Sequence, residues 1–212
     1  MPSNVIVKAL ESDTLNQNIL NIKWDIDAEN VENIAKYVIC IEHNGTQTFI
    51  ESTGTYTTDV NSDLFKDVGE WFIKVRAVGL NDYVSSNYSN NIKVIRLKET
   101  TFLNLSKEGI ISWDPVDNAS GYRLVYSYIN SSGEEKTDSE TISQNITSSN
   151  IFVNCLSDKF DGIINLKLFA LGNGTTTLTS VKETNVESLE KADYIRLEMP
   201  NVTLQNDRIV IE

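Results

Sequence analysis

Apolar and polar residues of this 212-residue chain alternate with a period of two in short runs, and Asn, Asp, Gly and Ser break the runs. An extended chain points successive side chains to opposite faces, so this is the pattern of half-buried β-strands joined by turns. The stretch from Ile19 to Ile26 places Leu20, Ile22, Trp24 and Ile26 on one face. A second run, Tyr37 to Glu42, leads to Asn44-Gly45, a pair that accepts positive φ at low cost and predicts a tight hairpin into Thr46 to Ile50. Tyr56 to Val60, Trp71 to Val78 and Ile92 to Ile95 complete the strands expected of the first half. In the second half, strands are expected at Gly109 to Trp113, Tyr122 to Ile129, Thr141 to Ile146, Asn150 to Leu156 and Ile164 to Leu171, with a turn at Ser131-Ser132-Gly133. Only Val186 to Tyr194 has helical character; it predicts a turn or two of helix, too short to be stable alone.

The pattern also repeats. Trp71 to Gly79 returns 93 positions later as Ile164 to Gly172, and Ile95-Arg96-Leu97 returns 100 positions later as Ile195-Arg196-Leu197. Such a period is a whole small domain rather than a solenoid unit. The expected division is a first sandwich over residues 1–96, a second over 97–187, and a connector with a C-terminal hairpin over 188–212. That last piece reads as the start of a third module or an assembly tail, with Asn206-Asp207 at its turn. A lone two-stranded hairpin is marginal in water. It therefore needs a surface to pair with, which makes Val202, Leu204, Ile209 and Ile211 candidate interaction residues.

The series Trp113-Asp114-Pro115-Val116-Asp117-Asn118-Ala119-Ser120-Gly121-Tyr122 resembles the B–C region of fibronectin type III domains, where a core Trp, a short polar loop and a Tyr opening strand C follow one another. Trp24 and Tyr37 match the same pattern across a longer loop. Leu64, Gly69, Trp71, Ile73, Val75 and Ala77 resemble the E–F turn and strand F of that family, and Leu156, Gly162, Ile164, Leu166, Leu168 and Ala170 repeat them. Where the family places a strand-F tyrosine, this chain has Trp71 and Ile164. The resemblance implies an all-β fold: two tandem antiparallel β-sandwiches, fibronectin type III-like and Greek-key, plus a C-terminal β-hairpin tail. It implies little about function, because this scaffold carries many unrelated roles.

Charge and chemistry narrow the function classes. Eighteen basic against thirty acidic residues give a net charge of −12, with no basic cluster to displace counterions from phosphates, so nucleic acid is excluded as a partner. No uncharged apolar run approaches the ~20 residues of a membrane span, and no basic n-region with an apolar h-region opens the chain. Cys40 and Cys155 each lie in an apolar run about one domain apart, so they read as buried free thiols. His43, the only histidine, sits beside the Asn44-Gly45 turn and reads as a surface residue; one His and two distant Cys cannot build a zinc site. The acidic groups Asp25/Asp27, Asp59/Asp63/Asp67, Asp114/Asp117 and Glu134/Glu135 lack a calcium-loop spacing and read as a solvated surface. Eight Asn-X-Ser/Thr triplets occur, and chance explains most of them in a chain so rich in those residues. No catalytic, cofactor or metal residue is expected. Tyr83, Tyr88 and Tyr128 are expected exposed near loops, where their rings would stack on a sugar or anchor a partner, with framework packing as the favoured alternative.

These observations predict a non-enzymatic structural or display protein. The reading preferred from sequence is a phage virion component (head decoration, head fibre or tail) on the virion surface, presenting immunoglobulin-like modules for assembly or host attachment. Its motivation is an extracellular-type module that begins at Met without a signal and does without disulfides. The alternative is a spacer or weak carbohydrate-binding or adhesion module from a bacterial surface protein or a secreted glycan-degrading enzyme, which places it outside the cell or on its surface. The expected partners are a capsid, tail or neighbouring subunit met through the C-terminal tail, with a cell-surface glycan and a homo-oligomer as further classes.

Overall fold

A computed structural model describes residues 1–11, 18–53, 56–106, 108–130, 132–155, 163–180, 184–185, 189–190, 202–205 and 208–211. The first module begins with β1 (Ser3–Glu11), β2 (Asn18–Asp25), β3 (Ile34–His43) and β4 (Thr46–Ser52). It continues with β5 (Thr57–Asn61), β6 (Gly69–Gly79) and β7 (Ile92–Arg96). One sheet runs β1-β2-β5 and faces a second that runs β7-β6-β3-β4. The alternation read from the sequence is what closes the core. Leu20, Ile22 and Trp24 of β2 meet Ile39 and Ile41 of β3 and Ile73 and Val75 of β6, all buried. Ile26 lies just past the end of β2 and is only half-buried. The β3–β4 hairpin closes through Asn44 at φ 49° and Gly45 at φ 77°, the left-handed pair that a two-residue turn requires.

The second module repeats the plan with β8 (Phe102–Leu105), β9 (Ile110–Trp113), β10 (Gly121–Ile129), β11 (Glu135–Ser143), β12 (Ser148–Asn150) and β13 (Ile163–Leu171). Three short strands follow: β14 (Thr177–Leu178), β15 (Thr184–Asn185) and β16 (Leu189–Glu190). Sheet β12-β9-β8 faces sheet β11-β10-β13-β15, and β16 pairs with the start of β13. Trp113, Tyr122, Leu124, Leu166 and Leu168 form the centre of this core. In both modules the Trp closing the second strand packs on the Tyr near the start of the third: Trp24 on Tyr37 at 5.0 Å and Trp113 on Tyr122 at 5.3 Å between ring centroids. The Tyr122 hydroxyl also accepts the buried Val116 N–H at 2.9 Å, pinning the loop between β9 and β10.

Several elements differ from the sequence-based expectation. Ser3–Glu11 and Glu135–Ser143 are strands, although neither shows clean alternation; both are edge strands of their sheets within the module, where polar side chains meet water on one side. The run Ile151-Phe152-Val153 looked extended but forms α1 (Ile151–Cys155). Asn150 explains the switch: its side-chain oxygen accepts the N–H groups of Phe152 (3.1 Å) and Val153 (3.2 Å) and starts a helical turn, while Ile151 stays fully buried. Asn61 does the same in the first module by accepting the Asp63 N–H ahead of a 3-10 turn over Ser62–Phe65. The expected helical connector is extended where it is described, at Leu189–Glu190; most of residues 186–194 lies outside the described residues. The C-terminal segment is a hairpin of β17 (Val202–Gln205) and β18 (Arg208–Ile211), with Val202 opposite Ile211 and Leu204 opposite Ile209. Its expected turn residues, Asn206 and Asp207, lie outside the described residues.

Candidate functional site

The feature that sequence reading missed is a junction in which the second module completes the first. The loop after β13 crosses over, and β14 adds in parallel to the free edge of β7, with Thr177 opposite Ile95 and Leu178 opposite Arg96. Ile95 N–H donates to Thr176 O at 2.8 Å, Leu97 N–H to Leu178 O at 3.1 Å, and Ala9 N–H to Gly174 O at 2.6 Å. An edge strand with unpaired backbone groups is thereby closed by a piece of its neighbour. Leu178, 2% exposed, belongs to the core of the first module and not to that of its own. Arg96 fastens the seam: it is 3% exposed, and its guanidinium donates from Nε to Phe65 O and from Nη1 to Thr179 O, both at 2.6 Å. Burial lowers its pKa to about 10, so the group remains charged at neutral pH, satisfied by carbonyl dipoles.

The loop is built to reach across. Asn173 Oδ1 accepts the N–H groups of Thr175, Thr176 and Thr177, while Asn173 Nδ2 donates to Thr176 Oγ1. Gly172 lets the chain double back, because a Cβ there would run into the carbonyl of Thr177. Beyond the bend, Ser180 replaces a ladder residue: its N–H donates to Ala170 O and its hydroxyl accepts the Ala170 N–H. The first module uses the same device. Ser86 pairs in this way with Ala77, Ser89 with Val75, and Gly79 at the base of the loop would carry a Cβ into Tyr83 O. The sequence signal for both was present, as hydroxyl residues following each copy of the Ala-x-Gly end of the strand.

The residues expected to interact fall in different places. Tyr83 is 58% exposed on the β6–β7 loop, beside Leu80 and Val84, which are also exposed. Tyr88 is half-buried on the outer face of the sheet, where Lys74 Nζ and the Arg76 guanidinium each lie 5.2 Å from its ring centroid. Tyr128 is not at the surface: it is 3% exposed, belongs to the second core and stacks against Tyr126. Its place near a loop suggested exposure, but the side chain packs into the second core. Nothing is described of the side chains of Val202, Leu204, Ile209 and Ile211 beyond their backbone register; among the described residues their hairpin pairs with no other strand.

Candidate chemistry is sparse. His43 stacks on Trp71 at 4.1 Å, with Nδ1 2.9 Å from Glu70 O and Nε2 3.0 Å from Asn44 Nδ2. Both ring nitrogens are thereby engaged, and none of these contacts is with a nucleophile. Trp71 stands where the family tyrosine would stand and takes over its bond, donating from Nε1 to Asp67 O at 3.0 Å. Cys40 is a buried free thiol, and burial raises its pKa against the weaker pull of Lys74; the side chain of Cys155 lies outside the described residues. Among the described residues no three His, Cys, Asp or Glu side chains converge on a metal-sized point, and no helix is long and apolar enough to cross a membrane. The pocket beside Val31, Ile34 and Tyr56 holds about 50 Å³, well short of the ~300 Å³ at which small-molecule sites begin.

No family model matches the chain, and no curated protein matches it. Among solved structures, the FN1–FN3 domains of chicken CNTN1 are similar over 87% of this chain and 66% of their own, at 14% identity and a TM-score of 0.35. A two-domain fibronectin type III segment from chicken tenascin is similar over 89% of this chain and 98% of its own, at 16% identity and a TM-score of 0.35. Each module of this chain has three strands, the A, B and E positions, packed on four at G, F, C and C′. The fold is fibronectin type III-like.

Proposed function

We propose that this chain is a non-enzymatic structural module pair that holds or presents other components at a fixed spacing. What supports this reading is the junction. The loop of a sandwich that is free to vary and bind is spent, in the second module, on sealing the first. The pair thus behaves as one spacer rather than as two beads on a flexible linker.

In its concrete form the spacer is part of a phage particle, as head decoration, head fibre or tail. The free, buried Cys40 favours a protein that folds in a reducing compartment, although fibronectin-like modules commonly work outside cells. Mass spectrometry of purified particles, cell-surface fractions and cytosol from the source tests this. Enrichment in particles at fixed stoichiometry is the expected result. Enrichment on the cell surface moves the spacer to a surface protein, and turnover in a hydrolase panel by the purified chain overturns the structural role itself.

A further inference from the structure

The turn that opens β4 fixes which of that strand's backbone groups look outward. A two-residue hairpin closes on a hydrogen-bonded pair, here His43 and Thr46 across Asn44-Gly45. Bonding direction alternates along an antiparallel ladder, so Thr46, Thr48, Ile50 and Ser52 bond inward to β3. Gln47, Phe49 and Glu51 therefore turn both N–H and C=O away from β3, at the rim of the sheet. That rim meets water: Thr46, Gln47, Thr48, Phe49 and Glu51 are all exposed, Phe49 to 56%.

Proteins blunt such edges with charges, bulges, short strands or a cover, and this chain does so elsewhere. β11 carries Glu135, Lys136, Asp138 and Glu140. β1 has Lys8 and a register shift between Ser3 and Ile6, and its Ala9 N–H is taken by Gly174 O. β14 covers the outer edge of β7, and β5 is five residues long with Asp59 at its middle. β4 has seven residues, no proline, no lysine and no register shift against β3; its one charge, Glu51, is held by Lys36 at 2.6 Å. We propose that this edge pairs with the same edge of a second copy, antiparallel, about a twofold axis at Phe49. In that register the outward groups meet: Phe49 faces Phe49 of the second copy and Gln47 faces its Glu51, each pair exchanging both backbone bonds. The side chains agree with it, since the two exposed rings adjoin and the Gln47 amide can donate to the facing carboxylate. An axis at Glu51 would oppose two carboxylates, and one at Gln47 would set Phe49 against the Gly45 turn. Because the same patch serves both sides, the contact is isologous and closes at a dimer. It goes beyond the spacer reading by tying two such modules side by side.

A seven-residue edge spans only about 24 Å, so the interface is small and the dimer reversible. The test is sedimentation velocity on the full chain across a concentration series reaching about 1 mM, paired with hydrogen exchange. The wild type is expected to reach a dimer and stop there, more readily at high salt, because each copy carries a net charge of −12. The amides of Gln47, Phe49 and Glu51 should gain protection with concentration, while that of Thr48, already bonded to β3, changes little. Phe49→Lys is expected to weaken association at least about tenfold. Gln47→Glu sets a carboxylate against Glu51 and should weaken it about threefold; adding Glu51→Lys should restore it, which a misfolded variant would not allow. Val84→Asp, at a 94% exposed loop position away from β4, should leave it unchanged. A chain that stays monomeric throughout, growth past the dimer, indifference to Phe49→Lys, or failure of Glu51→Lys to rescue Gln47→Glu each overturns the proposal. None of these outcomes touches the spacer role, which the fractionation of particles and cells addresses separately.

Discussion

Replacing Leu178 with Ala should destabilise a domain to which Leu178 does not belong in sequence. The side chain is buried in the core of the first module together with Val5, Val7, Phe65 and Val94. Removing a fully buried leucine side chain forfeits its transfer free energy and leaves a cavity, a loss of about 2–4 kcal/mol at a site near the end of a core that can partly collapse. The change is a large share of the stability of a domain of this size, typically ~5–15 kcal/mol. Two coupled domains do not give one well-defined melting point, so the assay is residue-resolved hydrogen exchange in native buffer. The amides of Ile39, Ile41 and Ile73, deep in the first core, should lose protection by about 30- to 1000-fold, the exchange equivalent of that free energy. The amides of Leu124 and Leu168 in the second core should change far less. Undiminished protection at Ile39 and Ile73, or a loss confined to the second module, would refute the reasoning that the second module's loop is a structural part of the first.

Three further outcomes follow from particular contacts. Gly172→Ala forces the bend before β14 to open, because the new methyl group meets Thr177 O; it should reproduce the Leu178→Ala exchange pattern in the first module at ~1–3 kcal/mol, and an unchanged pattern would show that the bend has room. Tyr122→Phe leaves the buried Val116 N–H without its acceptor and should cost about 1–3 kcal/mol in the opening free energy read from exchange of the second-core amides, so a change below ~0.5 kcal/mol would mean that another group takes the bond. In a Cys155→Ser background, Cys40 should resist a thiol reagent at mildly alkaline pH and react at once on denaturation, because it is buried and its pKa is raised. The folded state keeps that proton where the unfolded thiol, with its ordinary value of 9.0, begins to lose it. Stability should therefore fall as pH rises past that value, and fast labelling of the native protein would contradict the burial.

Much of the fold was legible because it rests on local pattern. The alternation of Leu20, Ile22 and Trp24 needs only the geometry of an extended chain to place three side chains in a core, and the Trp–Tyr pairs at 24/37 and 113/122 meet as the family resemblance implies. Reading failed where a single polar side chain outvoted the pattern. Asn150 turned an apolar run into a helix by offering its oxygen to two backbone N–H groups, a competition that periodicity does not register. It failed also at Tyr128, which is packed into the second core, and at the edge strand β11, where little burial means little alternation.

The sequence by itself determined that this is an acidic, twice-repeated β protein, the alternating strand residues at the centre of each core, and the Asn44-Gly45 turn. Each of those depends on interactions among residues close in the chain or on an average over many positions. Only the tertiary structure decided which loop is spent and which is free. Val84 and Leu178 are both apolar residues in serine- and threonine-rich loops, and nothing local distinguishes them. Their difference, one buried in a neighbour and one in water, arises because the β7 edge of the first module lies within reach of the second module's loop, which pairs with it.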